Sequence, residues 1–332
     1  MAGSRLVESC HGRVPWYFQL DGAAGCEVTR AKTASCREAN VKDILHFLGR
    51  ALRDPRRIPE AISALVLAGY FWLLNLYGRA PITQPGGPVV SLTTYGKRTR
   101  IVCLAIESIA RGRVLPSRLI LWIDDKAVVG NLPAAIRRLV QRGLEVRFCE
   151  NYGPHKKYYP YLESLQKAEA PLVTADDDLL YPRYWLQRLV EAFHQFPDVV
   201  NCYRARVIEL NQAGIAKYES WKLAESTIPS FRHLVAGGSG AIFPPHLQRA
   251  LKQDGTAFLD CCPRADDLWL HVHALRAGYR VRQINKKRFP MWNIPATQRT
   301  GLCHYNQSRG GNDRQIELTY RSSDVDRLRE GE

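Results

Sequence analysis

The pattern of apolar and polar positions changes character along this chain of 332 residues. Residues 1–40 are polar and irregular and predict no element. From residue 41 the pattern turns helical and basic, with Arg50, Arg53, Arg56 and Arg57. Residues 62–77 are then nearly all apolar, with Phe71, Trp72, Leu73 and Leu74 together and Asn75 among them. Pro81 to Pro88, enclosing Gly86-Gly87, reads as a linker. Beyond it, strand and helix periods alternate. Strands are expected at 89–94, 119–123, 145–149 and 172–175, and helices at 99–111, 134–142 and 161–168. Val102, Ala105, Ile106 and Ile109 mark one face of the first of these helices, and Gly143 stops the second.

The second half is more mixed. It predicts an amphipathic helix over 182–196, a hairpin of 199–210 with 215–218, a strand over 241–243 after Gly237-Gly238-Ser239-Gly240, and a helix over 265–277 closed by Gly278. The β-α-β-α order argues for an α/β fold, a mostly parallel sheet with helices on both faces. Ligands in such sheets bind beyond the carboxyl ends of the strands. Asp124-Asp125 and Asp176-Asp177-Asp178 both fall at such ends, which predicts one shared crevice. The expected organisation is an N-terminal extension over 1–87, a main domain over 88–320 and a tail over 321–332.

The apolar run over 62–77, within a possible membrane-association segment over 58–78, is slightly short for a full membrane span, and the arginines before it resemble a cytoplasmic flank. Three readings stay open: an interfacial helix, a helix packed on the main domain, and a true span. No secretory signal pattern opens the chain, so the expected location is the cytoplasm, peripheral at the inner face of a membrane. Formal net charge is +15, which favours anionic partners. Nucleic acid is the least favoured of them, because no Lys/Arg-packed helix, zinc-finger spacing or glycine-aromatic RNA motif is present. The nine cysteines form no Cys-x-x-Cys pair and fit a reducing compartment.

Asp176, Asp177 and Asp178 end a buried-strand pattern, where three neighbouring carboxylates repel. A divalent cation would remove the repulsion and use the oxygens as hard ligands; a solvated acidic turn is the alternative. Asp266 and Asp267 in a first helical turn suit the helix dipole as well as they suit catalysis. Lys97, Arg98, Lys156 and Lys157 are anion-binding candidates or surface charge. Asp124 and Asp125 are nucleotide-holding candidates or turn residues. Trp221, Trp269 and Trp292 are sugar-stacking or core residues. His271 and His273, at i and i+2, fail metal spacing.

Six strings in order, from Val90-Ser91-Leu92-Thr93-Thr94-Tyr95-Gly96-Lys97-Arg98 through Leu121-Trp122-Ile123, Lys156-Lys157, residues 174–182 and residues 265–269 to Asn312-Asp313-Arg314-Gln315-Ile316, resemble a group of bacterial polysaccharide glycosyltransferases with the GT-A fold. The resemblance runs from about residue 88 to 317 and leaves the first 87 residues uncovered. It implies a mixed, mostly parallel sheet and a metal-dependent hexosyltransferase, acting on a nucleotide sugar, most simply a UDP-sugar, and a cell-surface glycan or glycolipid hydroxyl. It implies further that the triplet is the Asp-x-Asp motif. Asp178 and Asp176 would then bind Mn²⁺ or Mg²⁺, with His304 as a further ligand, although Cys303 stands where the pattern usually has tryptophan. Cofactor-binding residues would be Asp176, Asp177, Arg98, Lys156, Lys157, Asp125 and Gly238, the last in a loop that resembles the glycine-rich border of the acceptor side. Asp267, with Asp266 beside it, would be the base of an inverting enzyme. Two other readings are a sugar-phosphate nucleotidyltransferase, whose glycine-rich Arg-Lys signature is absent, and a non-catalytic glycan- or membrane-binding protein.

Overall fold

The computed structural model describes residues 49, 54, 56, 58–236, 238–286, 289–295, 297 and 310–330. The strand–helix alternation after residue 88 forms a seven-stranded sheet. Its members are β1 (Val89–Thr94), β2 (Arg118–Ile123), β3 (Leu144–Phe148), β4 (Leu172–Ala175), β6 (Val199–Cys202), β11 (Ala241–Phe243) and β12 (Arg280–Gln283), in the order β12-β6-β11-β4-β1-β2-β3. β11 runs antiparallel to both neighbours, and the other pairings are parallel. This is the mixed, mostly parallel sheet flanked by helices that the sequence leads one to expect.

Both faces of the sheet are buried, which is why its strands read as continuous apolar runs. Alternate residues feed two separate cores. Val90, Leu92, Leu119, Leu121 and Ile123 enter one, with α2 (Val102–Ala110), α4 (Ala134–Val140) and α6 (Trp185–Gln195). Val89, Ile120 and Trp122 enter the other, with α5 (Tyr159–Glu163), α7 (Pro245–Gln253) and α9 (Asp266–Arg276). α3 (Lys126–Gly130) follows β2, and α8 (Phe258–Cys261) precedes α9. α10 (Gly311–Thr319) and α11 (Ser322–Glu330) end the described chain.

Several elements differ from the pattern reading. The helix expected over 99–111 is split into a 3-10 turn, Gly96–Arg100, and α2. The segment expected as one long hairpin is divided. β6 joins the main sheet, β7 (Ala205–Val207) pairs with β10 (His233–Val235), and only β8 (Leu210–Asn211) and β9 (Gly214–Ile215) form the hairpin. The stretch expected as a linker is tied down, since Ile82 is fully buried and Ile82 N donates to Arg142 O at 2.9 Å.

The apolar run forms α1 (Ile58–Tyr77), which packs on α2 and α4 and buries Ala61, Ala64, Phe71 and Asn75. Asn75 explains its place in an apolar helix. Its Nδ2 donates to Glu107 Oε1 and Ala135 O, each at 3.1 Å, and its Oδ1 accepts from Arg138 at 2.8 Å. Glu107 also takes the Arg142 guanidinium at 2.6 Å. A buried polar cluster is tolerated when every member is satisfied, and losing one member leaves the rest unpaired. Asn75→Ala should therefore cost about 1–3 kcal/mol in urea unfolding; a change within experimental error would show that the cluster does not hold α1.

Candidate functional site

Parallel register aligns the carboxyl ends of β1, β2 and β4. Thr94 pairs with Ile123, and Leu92 pairs with Ala175, so the residues after each strand emerge at one edge of the sheet. The antiparallel β11 sets Ala241 opposite Thr174, which brings residues 238–240 beside the triplet as well. Asp124-Asp125, Asp176–Asp178 and the glycine loop thus converge because of topology.

The three aspartates have different tasks. Asp177 is buried. Its Oδ2 accepts from Thr94 Oγ1 at 2.7 Å and its Oδ1 from Arg98 at 2.7 Å, which makes it an internal anchor between β1 and β4. Burial still leaves its carboxyl above the usual range. Asp176 is held by the Lys157 ammonium at 2.8 Å. Among the described residues, the cation paired with Asp178 is Arg98, at 3.3 Å. Burial and the neighbouring Asp176 raise its carboxyl to about 7.

Lys157 is the junction of the site. Its Nζ lies 2.8 Å from Asp176 Oδ1 and 3.1 Å from Asp266 Oδ2. The aspartate triplet and the first turn of α9 therefore meet on one cation, although they lie far apart in the chain. Burial alone would lower the ammonium's pKa, but the two carboxylates reverse this and hold it above its usual value. Asp267, the next residue of α9, has its Oδ1 on Leu268 N at 3.0 Å. Burial and Asp266 raise its carboxyl to about 7. The helix terminus alone would hold this group ionised at lower pH, and burial outweighs it.

The remaining candidates fall into place around this junction. Lys156 pairs with Asp124 at 2.6 Å and is buried. Asp125 caps α3, accepting from Ala127 N at 2.9 Å and Val128 N at 3.2 Å, as the strand-end-turn reading expects. Gly238 has φ +23, and a Cβ there would meet Asp176 Oδ2 at 2.6 Å, so glycine is needed for close approach to the triplet rather than for looseness. Trp221 and Trp269 are core residues, while Trp292 is half-buried. His271 is structural, bonded to Tyr320 Oη and Phe231 O. His304, Cys303 and Gly237 lie outside the described residues.

Three contributors escape the sequence reading. Tyr181 Oη accepts from Asp176 N at 2.7 Å and donates to Gly238 O at 2.9 Å, clamping the triplet to the glycine loop. Its ring packs on Trp185, whose indole donates to Ser239 O. Residues 292–294 and 297 lie against the triplet: β13 (Trp292–Asn293) pairs with β5 (Leu179–Leu180), Ile294 N donates to Asp178 O at 2.8 Å, and Thr297 O accepts from Arg98 at 2.9 Å. Tyr95 stands exposed at the end of β1, with Arg98 and Lys156 5.5 and 5.8 Å from its ring. The aromatic in the first motif was the only signal available for it.

The donor set fits a small divalent cation in part. Asp176 and Asp178 are hard oxygen donors two residues apart, and the raised Asp178 carboxyl marks a site short of positive charge. Among the described residues no group of three or more His, Cys, Asp or Glu gathers as a metal site. Two carboxylates suffice for an ion that keeps waters and takes substrate phosphate oxygens for its other positions.

No protein-family model matches the chain. No curated protein matches it either. Among solved structures it is similar to an inositol-1-phosphate CTP transferase from T. maritima, at 10% identity and a TM-score of 0.41, over 72% of this chain and 100% of that one. It is similar to GalNAc-T7, solved with UDP, GalNAc and Mn²⁺, at 11% identity and a TM-score of 0.42, over 59% of this chain and 41% of that one. It is similar to S. aureus TarS 1–349 at 12% identity and a TM-score of 0.41, over 61% of this chain and 59% of that one. The chain thus spans less than two thirds of the second and third of these. Likenesses so distant carry no weight for what this chain does.

The raised Asp267 carboxyl has a consequence for stability. An unfolded aspartate ionises near 4, while this one holds its proton to about 7. Across that window the folded state binds the extra proton, so stability falls as pH rises and the full cost is present above it. Asp267→Asn should therefore melt higher than the parent at about pH 8 and lose that advantage at about pH 4. An equal or lower melting temperature at the higher pH would contradict this electrostatic account.

Proposed function

We propose that the chain is a metal-dependent glycosyltransferase that moves a sugar from a nucleotide-diphosphate sugar to a hydroxyl of a cell-surface glycan or glycolipid, inverting the anomeric centre. The observation that carries the reading is the Lys157 junction, which joins the aspartate triplet to Asp266-Asp267 at the carboxyl ends of the strands. One side of such a cleft suits a donor diphosphate and the other an acceptor hydroxyl.

Sugar transfer needs two things at once. Negative charge builds on the departing diphosphate, and the attacking hydroxyl must lose a proton. Asp178 and Asp176 would hold Mn²⁺ or Mg²⁺, which supplies charge neutralisation at phosphate oxygens when bound. Asp267 is the preferred base. Its carboxyl, raised to about 7 by burial and Asp266, is a stronger proton acceptor than an ordinary aspartate and is about half ionised at neutral pH. Asp266, held by Lys157, orients the pair. Lys156 and Arg98, each already committed to a carboxylate, set the local charge. Tyr95, exposed between two cations, suits stacking on the nucleotide base.

Sugar transfer and nucleotidyl transfer differ in the bond broken. The first releases a nucleoside diphosphate from a nucleotide sugar; the second releases pyrophosphate from a nucleoside triphosphate. UDP-hexose with Mn²⁺ should give UDP, with the turnover absent in Asp178→Ala. UTP with a hexose phosphate should give no pyrophosphate. Turnover should rise roughly tenfold per pH unit on the acid side and level off above the Asp267 value, which is about 7. Pyrophosphate release without UDP release would replace this reading with nucleotidyl transfer, and neither product from any nucleotide sugar would leave a binding protein.

A further inference from the structure

α1 has two apolar faces and only one of them is used. Ala61, Ala64, Phe71 and Asn75 are buried against the domain. On the opposite side Ile62, Val66, Tyr70, Leu73 and Tyr77 recur at helical spacing and stand in solvent, with Val66 65% and Tyr77 75% exposed. Trp72, 54% exposed, flanks them. Half of the large apolar side chains that are exposed among the described residues thus lie on this one helix. No Asp, Glu, Lys or Arg occurs from Ala61 to Tyr77. A patch of this kind on a soluble surface marks an interaction site.

We propose that the outward face of α1 docks the protein flat on a bilayer surface carrying anionic lipid. Three features favour lipid over a second protein. Tyr70, Trp72 and Tyr77 are side chains with an apolar body and a polar end, which suit the interface between hydrocarbon and headgroups. Exposed arginines rim the stripe: Arg56 before the helix, Arg79 after it, and Arg111 beside it, whose Nε donates to Tyr70 Oη at 2.9 Å. Arg50, Arg53 and Arg57 add charge upstream in the sequence, and Glu60 is the helix's one acid. Cations at the edge of an apolar stripe complement anionic headgroups.

The docking geometry decides between lying on the bilayer and crossing it. α1 is long and apolar enough to cross by length and composition. It is, however, fastened to the domain from Ala61 to Asn75, and Asn75 is bonded to Glu107, Ala135 and Arg138. A crossing helix would carry that polar cluster into hydrocarbon or tear it apart. One face stays on the protein while the other meets the headgroup boundary. α1 also touches β5, directly after Asp178, so the lipid contact lies on an element adjoining the site.

The test is co-sedimentation of the full chain with vesicles of phosphatidylcholine alone and of phosphatidylcholine with phosphatidylglycerol, at low and high salt. Val66→Glu and Leu73→Glu change exposed positions and should leave thermal melting unaltered. The full chain should pellet with the anionic vesicles, less so at high salt. Each variant should weaken that binding by roughly tenfold or more. Equal binding to both vesicle types, no binding to either, or variants that bind like the parent would overturn the proposal. So would self-association in sedimentation velocity that the same variants abolish while vesicles bind nothing, because the stripe would then belong to a second copy.

Discussion

One partly buried ammonium organises the centre of the candidate site. Lys157 touches Asp176, at the end of β4, and Asp266, at the start of α9. Without it, two acidic clusters from distant parts of the chain would face each other uncompensated, and their repulsion would push the two elements apart. With it, the end of the sheet and the start of the helix are held at one point. The convergence of β1, β2, β4 and the 238–240 loop supplies the frame, but the cation makes the approach of the acids tolerable.

The other charges follow the same logic and leave an informative remainder. Asp124 has Lys156, and Asp177 has Arg98 and Thr94. Asp176 and Asp266 share Lys157. Two carboxylates are left short of positive charge, Asp178 on the triplet side and Asp267 on the helix side, and both are pushed up to about 7. A fold optimised only for stability would not gather two such groups around one strand-end junction, and clustered, strongly perturbed carboxyls are a mark of chemistry. The glycosyltransfer reading assigns a task to each: one to meet a cation and a diphosphate, the other to take a proton.

Much of the fold was legible because periodicity is local. The β-branched run Val89–Thr94 and the apolar run 119–123 announced strands, and the acids at their carboxyl ends announced a shared crevice. Asp266 and Asp267 were legible as a first helical turn. Contacts between distant residues were not. Arg98 reads as an anion-binding cation in sequence, yet it is spent on Asp177, Asp178 and Thr297 O. Asn75 reads as an interruption of an apolar helix and turns out to fasten it. Tyr181 carries no catalytic signature, but its hydroxyl joins the triplet to Gly238. Each of these depends on a partner that no repeat or spacing in the sequence points to.

The claim that the two acidic motifs form one site through Lys157 is tested most directly by a double-mutant cycle on stability with Asp176→Asn and Asp266→Asn. Either single change leaves the ammonium one carboxylate, whereas the double change strands a partly buried cation. The double variant should therefore lose more stability than the sum of the singles, by over about 1 kcal/mol. Additivity within about 0.5 kcal/mol would mean that the two clusters do not share this cation.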